Sequence, residues 1–193
     1  MKKRIVLVML ALLEIAGIVQ AQNVGIKTNL LTDATLSPNL GIEIGLSRKW
    51  SLDITGETCL WDVDGHKWKH WLAQPEIRVW LCDRFAGHFF GLHAIGGQYN
   101  FGSIHNNIKF LGSDFSQLSR YRFQGWGAGA GIAYGYDWVL GKHWNLEAEI
   151  GIGWIHTKFD KYECSDCGRK VGTDLHHNYF GPTKLSLALE YIF

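Results

Sequence analysis

The sequence predicts an all-β fold: an eight-stranded antiparallel up-and-down transmembrane barrel with short periplasmic turns and long extracellular loops. Three observations carry that expectation. Eight stretches read as strands, and in seven of them apolar residues fall at every second position. The face opposite the apolar one holds glycine and charge, and the connections between strands alternate between short and long.

Composition sets the frame. A chain of 193 residues suits one ordinary domain. Its 10 Phe, 9 Trp, 7 Tyr and 23 Gly, set against 3 Pro and 19% charged residues, exclude collagen-like, disordered and coiled-coil classes. The net charge is +1, and removing residues 1–21 takes away three cations (Lys2, Lys3, Arg4) and one anion (Glu14), leaving −1. A nucleic-acid-binding surface is therefore not expected. No cofactor is expected either, and composition points to no particular reaction.

The N-terminus reads as an address. Lys2, Lys3 and Arg4 precede an apolar stretch from Ile5 to Val19, and Val19-Gln20-Ala21 suits a signal peptidase. The expected domains are a signal peptide over 1–21, cleaved after Ala21, and an outer-membrane barrel over 22–193. Glu14 makes the segment a poor membrane anchor, and nothing after Ala21 approaches a spanning helix. A mature chain that enters a bilayer must then do so as a barrel.

The strands follow in order. Val24, Ile26 and Leu30 alternate with Gly25, Lys27 and Asn29; Leu40, Ile42, Ile44 and Leu46 alternate with Gly41, Glu43 and Gly45. Leu52, Ile54 and Leu60 oppose Asp53, Thr55, Glu57 and Cys59, and Ile77, Val79 and Leu81 oppose Glu76, Arg78 and Trp80. The stretch from Gly87 to Asn100 is strand-like with two apolar faces, so its phase stays open. Trp126 to Tyr136 shows its apolar residues against Gly125, Gly127, Gly129, Gly131 and Gly135, and Leu146 to Trp154 shows them against Glu147, Glu149, Gly151 and Gly153. The last strand sets Leu185, Leu187, Leu189, Tyr191 and Phe193 against Lys184, Ser186, Ala188 and Glu190.

Short turns are expected at 48–50, 82–86 and 141–144, and long loops at 61–71, 101–121 and 157–181, with a compact connection at 32–38. Short turns on one rim and long loops on the other, with both termini on the short side, is the asymmetry of outer-membrane barrels. Trp50, Phe85, Trp138, Trp144 and Phe193 fall near the short turns, where an interfacial aromatic girdle belongs. The closing Leu189-Glu-Tyr-Ile-Phe193 is similar to the terminal signal by which outer-membrane barrels are recognised for assembly, which makes barrel assembly machinery and outer-membrane lipid the expected partners.

With the apolar face toward lipid, Lys27, Glu43, Asp53, Glu57, Glu76, Arg78, Glu147, Glu149, Lys184 and Glu190 point inward. Three cations cannot pair with seven carboxylates one to one, so Arg78, whose guanidinium bridges two carboxylates at once, is expected among several of them. This reads as structural filling rather than catalysis, and a filled lumen of eight strands is not an open pore.

Two further constellations stand out. Cys164 and Cys167 form a C-x-x-C pair in the last loop; in an exported protein a local disulfide is one reading and half a zinc site the other, although no metal site is expected without a second spaced pair. Trp61, Trp68 and Trp71 crowd the first long loop, either as a contact surface for a glycan or protein or as part of the outer lipid interface.

His70-Trp-Leu-Ala-Gln-Pro-Glu-Ile-Arg-Val-Trp80, Gly87-His-Phe-Phe-Gly-Leu-His93 and Asn178-Tyr-Phe-Gly-Pro-Thr-Lys184 resemble a family of small outer-membrane barrels from Bacteroidales known only as a domain of unknown function. The resemblance covers nearly all of 23–193 and includes the Cys164/Cys167 pair. It implies outer-membrane residence and, for some members, a genetic neighbourhood of fimbria components, so fimbrial or other surface proteins join the expected partners. It implies no catalytic residues. A non-enzymatic surface-docking or structural barrel is thus the main expectation. A lipid A-modifying outer-membrane enzyme is the second, to be recognised by a Ser or Thr hydroxyl against a His nitrogen with a carboxylate behind it. A soluble lipocalin-like barrel is the third, with Leu40, Ile42, Leu187 and Leu189 inside.

Overall fold

A computed structural model describes residues 24–63, 66–102, 109–110, 113–114, 121–163 and 168–193. The elements are β1 (Val24–Asn29), α1 (Leu30–Ala34), β2 (Asn39–Gly45), β3 (Trp50–Cys59), β4 (Asp62–Val63), β5 (His66–Trp80), β6 (Gly87–Gly102), β7 (Lys109–Phe110), β8 (Ser113–Asp114), β9 (Arg122–Val139), β10 (Trp144–Tyr162) and β11 (Lys170–Ile192). Eight of them run antiparallel in the order β3-β2-β1-β11-β10-β9-β6-β5, and β3 pairs with β5, so the sheet closes on itself as a barrel-like ring. The short β4 extends β5 as a ribbon, and β7 pairs with β8.

Closure joins the first and last strands. Register pairs Gly25 with Ile192 and Lys27 with Glu190. The Phe193 N–H donates to the Val24 carbonyl at 3.0 Å and the Ile192 N–H to the His143 carbonyl at 2.8 Å, placing Val24 and Phe193 on the short-turn rim. On the other rim, α1 fills the compact connection: the Asn29 side chain accepts from the Leu31 N–H at 3.1 Å and caps the helix.

The parity of the strands decides which residues meet. Leu40, Ile42, Ile54, Ile77, Ile132, Ile150 and Leu185 are exposed on the outer face, while Glu43, Asp53, Glu76, Arg78, Glu147 and Glu190 are buried within. A lipocalin-like arrangement requires the reverse, with Leu40 and Ile42 inside, and is not what the chain adopts. β6 takes the phase that points Phe89, Gly91 and His93 inward and Phe90 and Leu92 outward.

Three expectations need correction. Residues 66–71 and much of 157–181 are strand rather than loop: β5 starts at His66, and the β10–β11 ladder continues to Tyr162↔Lys170. These extensions rise past the belt of outward apolar residues; most of their residues are polar, so no greasy face marks them as strand. At their tip Lys170 donates to Asp160 at 2.7 Å. Trp68 and Trp71 consequently sit on β5 and point to opposite faces. Phe85, expected in the girdle, is buried: its φ of 60° turns it into the lumen, 6.2 Å from the Trp80 ring. The other girdle residues, Trp50, Trp138, Trp144 and Phe193, are exposed on the outside as expected.

Candidate functional site

The lumen is filled by one network centred on Arg78. Its Nη1 donates to Glu43 Oε2 and Glu147 Oε2, both at 2.6 Å; its Nε donates to Glu76 at 2.6 Å; its Nη2 reaches Glu149 at 2.7 Å, Glu147 Oε1 at 3.1 Å and Asp53 at 3.4 Å. Four strands, β2, β3, β5 and β10, thus meet at one guanidinium, which a lysine's compact ammonium could not span. Lys27 bridges Glu43 (2.7 Å), Glu147 (3.0 Å) and Asp53 (3.2 Å), and Lys184 bridges Glu76 (2.9 Å) and Glu149 (3.0 Å). Beneath, the Arg78 guanidinium lies 4.3 Å from the Phe89 ring centroid, and Trp80 donates to Ser51, which donates to Glu43.

Nine of the ten expected interior charges are buried here. Glu57 faces inward but stands apart nearer the long-connection rim, 3.5 Å from His70, because it lies four residues beyond Asp53 on β3. Asp137, His93, Ser51, Gln74 and Asn145 are buried lumen residues that the strand reading did not single out. Asp137 was accessible to it, since it keeps the parity of Gly125 to Gly135.

Glycine makes the room. A Cβ on Gly91 would lie 2.5 Å from Glu76 Cδ, and Glu76 is held by both Arg78 and Lys184, so it cannot give way. Gly91→Ala is expected to cost about 1–3 kcal/mol by overpacking. Gly96→Ala on the same strand, where a Cβ meets nothing within 4 Å, is expected to change stability by less than about 0.5 kcal/mol. Urea unfolding of the two variants side by side checks the difference.

A hydroxyl, an imidazole and a carboxylate do fall in line. Thr183 Oγ1 lies 2.9 Å from His93 Nε2, and His93 Nδ1 lies 3.6 Å from Glu76 Oε2. A β-bulge opposite Gly151 and Ile152 turns Thr183 inward against the parity of β11, and Gln74 donates to its carbonyl at 3.3 Å. The Glu76 contact is longer than a hydrogen bond, and both Glu76 oxygens already accept from Arg78 or Lys184. His156 and Thr157 form no comparable pair: His156 bonds Asn178 and His176, and Thr157 donates to a backbone carbonyl.

Toward the long-connection rim the lumen changes character. Trp68 stacks on Phe101 at 4.6 Å, Tyr99 stacks on Phe101 at 5.3 Å, and Leu72, Ile95 and Ile155 complete an apolar cavity of about 280 Å³. Trp61 and Trp71 stay exposed. Cys59 is buried and Cys82 exposed, both as free thiols, while Cys164 and Cys167 lie outside the described residues.

Fold and lumen together define a class: a small closed antiparallel barrel with an apolar exterior and an interior filled by ion pairs. The chain belongs to the family described as a protein of unknown function (DUF3575), which it matches over residues 5–193. No curated protein and no solved structure matches it.

Proposed function

We propose that this chain is a non-enzymatic outer-membrane barrel, delivered by a cleaved signal peptide, whose strand extensions beyond the bilayer serve as a structural or docking surface. One observation carries the reading: apolar side chains are exposed around the ring while the charges are sealed inside. Soluble monomers rarely expose a contiguous apolar patch beyond a few hundred Å². The dimensions agree. Trp144 and Trp154, exposed on β10, are ten residues apart. At about 3.3 Å per residue and a tilt of about 40° they bracket about 25 Å, the height of an outer-membrane apolar band. Trp50, Trp138 and Phe193 would share one interface with Trp144, and Trp71, Trp126 and Phe180 the other with Trp154. No described helix is long and apolar enough to cross a membrane.

Brominated phosphatidylcholine tests the embedding. Exposed tryptophans should be quenched in reconstituted vesicles, and the protein should stay with the membrane fraction of cells after alkaline washing. Recovery as a detergent-free soluble monomer overturns the reading. The docking role falls on the β10–β11 extension, with fimbrial or other surface proteins as the partners suggested by the resemblance. Replacing 157–177 with an Asn-Gly turn joins the paired residues His156 and Asn178 directly. It should leave the barrel folded and remove cross-links to surface proteins on intact cells; unchanged cross-links eliminate docking through this hairpin.

The Thr183–His93–Glu76 line favours a second reading, an acyl-transferring or hydrolytic enzyme. It is the weaker one, because Glu76 is committed to cations and nothing within hydrogen-bond range orients His93 Nδ1. On our reading the purified protein hydrolyses nitrophenyl and phospholipid esters no faster than its His93→Ala variant. A rate at least 100-fold above that variant, lost also in Thr183→Val, establishes the enzyme instead.

A further inference from the structure

The charge network leaves a remainder. Glu43, Asp53, Glu76, Asp137, Glu147, Glu149 and Glu190 are buried, against buried Lys27, Arg78 and Lys184. The three cations gather on Glu43, Asp53, Glu76, Glu147 and Glu149. Glu190 is fully buried, yet among the described residues neither of its carboxylate oxygens has a hydrogen-bond partner. An uncompensated ion in such a place costs several kcal/mol.

Glu190 is also aimed at company of its own sign. One oxygen from each of Glu43, Glu147 and Glu190 falls within 4.8 Å of the others. β2, β10 and β11 supply them, and β1 lies between: Gly25 on that strand clears the space, since a Cβ there would collide with the Glu190 carboxylate. We propose that Glu43, Glu147 and Glu190 form a binding site for a hard divalent cation of the calcium class inside the barrel.

The donor set fits such an ion. All three ligands are carboxylate oxygens, the type that calcium and magnesium select over softer metals. Among the described residues Glu43 Oε1 accepts only from Ser51 and Glu147 Oε1 only from Arg78, so each keeps a lone pair for a metal. Calcium holds oxygens at about 2.3–2.6 Å, so opposite ligands stand about 5 Å apart, whereas magnesium draws them to about 4.2 Å. Three oxygens within 4.8 Å of one another fit inside calcium's coordination sphere. The ion offsets the charge that Lys27 and Arg78 leave over, and the Asp137 carboxylate, whose Oδ1 also lacks a partner, adds negative potential nearby. This site does not depend on what surrounds the barrel, so it stands or falls apart from the membrane reading.

Chelator-treated full-length protein in detergent is unfolded thermally with and without 5 mM calcium chloride, against sodium chloride of matched ionic strength. Calcium should raise the wild-type midpoint by about 5 °C and leave Glu190→Gln unmoved. In chelator, Glu190→Gln should melt above the metal-free wild type, because it removes the unpartnered charge. Absence of any calcium shift in the wild type overturns the proposal and assigns Glu190 a proton. Equal shifts in both proteins also overturn it, by tracing the effect to other carboxylates. If Glu190→Gln does not fold, equilibrium dialysis of the wild type with radioactive calcium decides: one ion held per chain supports the site and none overturns it.

Discussion

Arg78→Met is expected to lower the stability of the barrel by about 3–5 kcal/mol, the cost of breaking a buried ion pair by removing one side of it. The side chain is wholly buried and its three nitrogens donate to Glu43, Asp53, Glu76, Glu147 and Glu149. Methionine fills a similar volume, so the loss reads out charge and hydrogen bonding rather than a cavity. Lys27 and Lys184 remain, but Lys27 contacts Glu43, Asp53 and Glu147 while Lys184 contacts Glu76, Glu149 and Asp53, so neither spans the ring. Arg78→Lys restores the charge without the fork and should recover only part of the loss. Adding Glu147→Gln and Glu149→Gln to Arg78→Met removes two of the stranded carboxylates and should also recover part. Glu57→Gln, outside this network, should change stability by less than about 1 kcal/mol. Urea unfolding of vesicle-folded protein, followed by tryptophan fluorescence, measures all four. An Arg78→Met variant as stable as the wild type would mean that the surrounding carboxylates are protonated and the network is not ionic.

The residues that could be placed from the sequence were those whose environment repeats every second position. Glu43, Glu147 and Glu190 each stand between apolar neighbours, so period two alone sends them inward. Alternation is silent where a residue's direction depends on a partner or a backbone irregularity. Phe89, Phe90, Leu92 and His93 leave β6 with no polar face; its phase is fixed by pairing, which sets His93 opposite Glu76. Thr183 breaks parity because a bulge inserts one extra residue, and Phe85 because of its positive φ. Strand ends were misplaced for a different reason. Beyond the apolar belt the faces of β10 and β11 lose their contrast, so the pattern fades although the backbone hydrogen bonds continue to Tyr162. The Glu43–Glu147–Glu190 juxtaposition was not visible either, since it requires knowing that β2 and β10 approach across β1 and β11.

Ile132→Arg separates a lipid-facing surface from a watery one more sharply than any change inside the barrel. Ile132 is 61% exposed, and its ladder neighbours are Leu92, 59% exposed, and Ile152, 48% exposed. In water, replacing so exposed a side chain with arginine alters stability by no more than about 0.5 kcal/mol, and removing surface grease improves solubility. In a bilayer the same guanidinium sits near mid-height between Trp126 and Trp138 on β9 and costs about 2–4 kcal/mol. The penalty should fall with distance from the midplane, so arginine at Leu46, which keeps the outward parity of Ile42 and Ile44, lies next to the short-turn rim and is 57% exposed, should cost no more than about 1 kcal/mol. The two positions have nearly equal exposure, so a soluble barrel predicts equal and small effects, and only a hydrocarbon slab predicts a graded pair. Unfolding from lipid vesicles compares them directly; equal effects at Ile132 and Leu46 would remove the bilayer from the account of this protein.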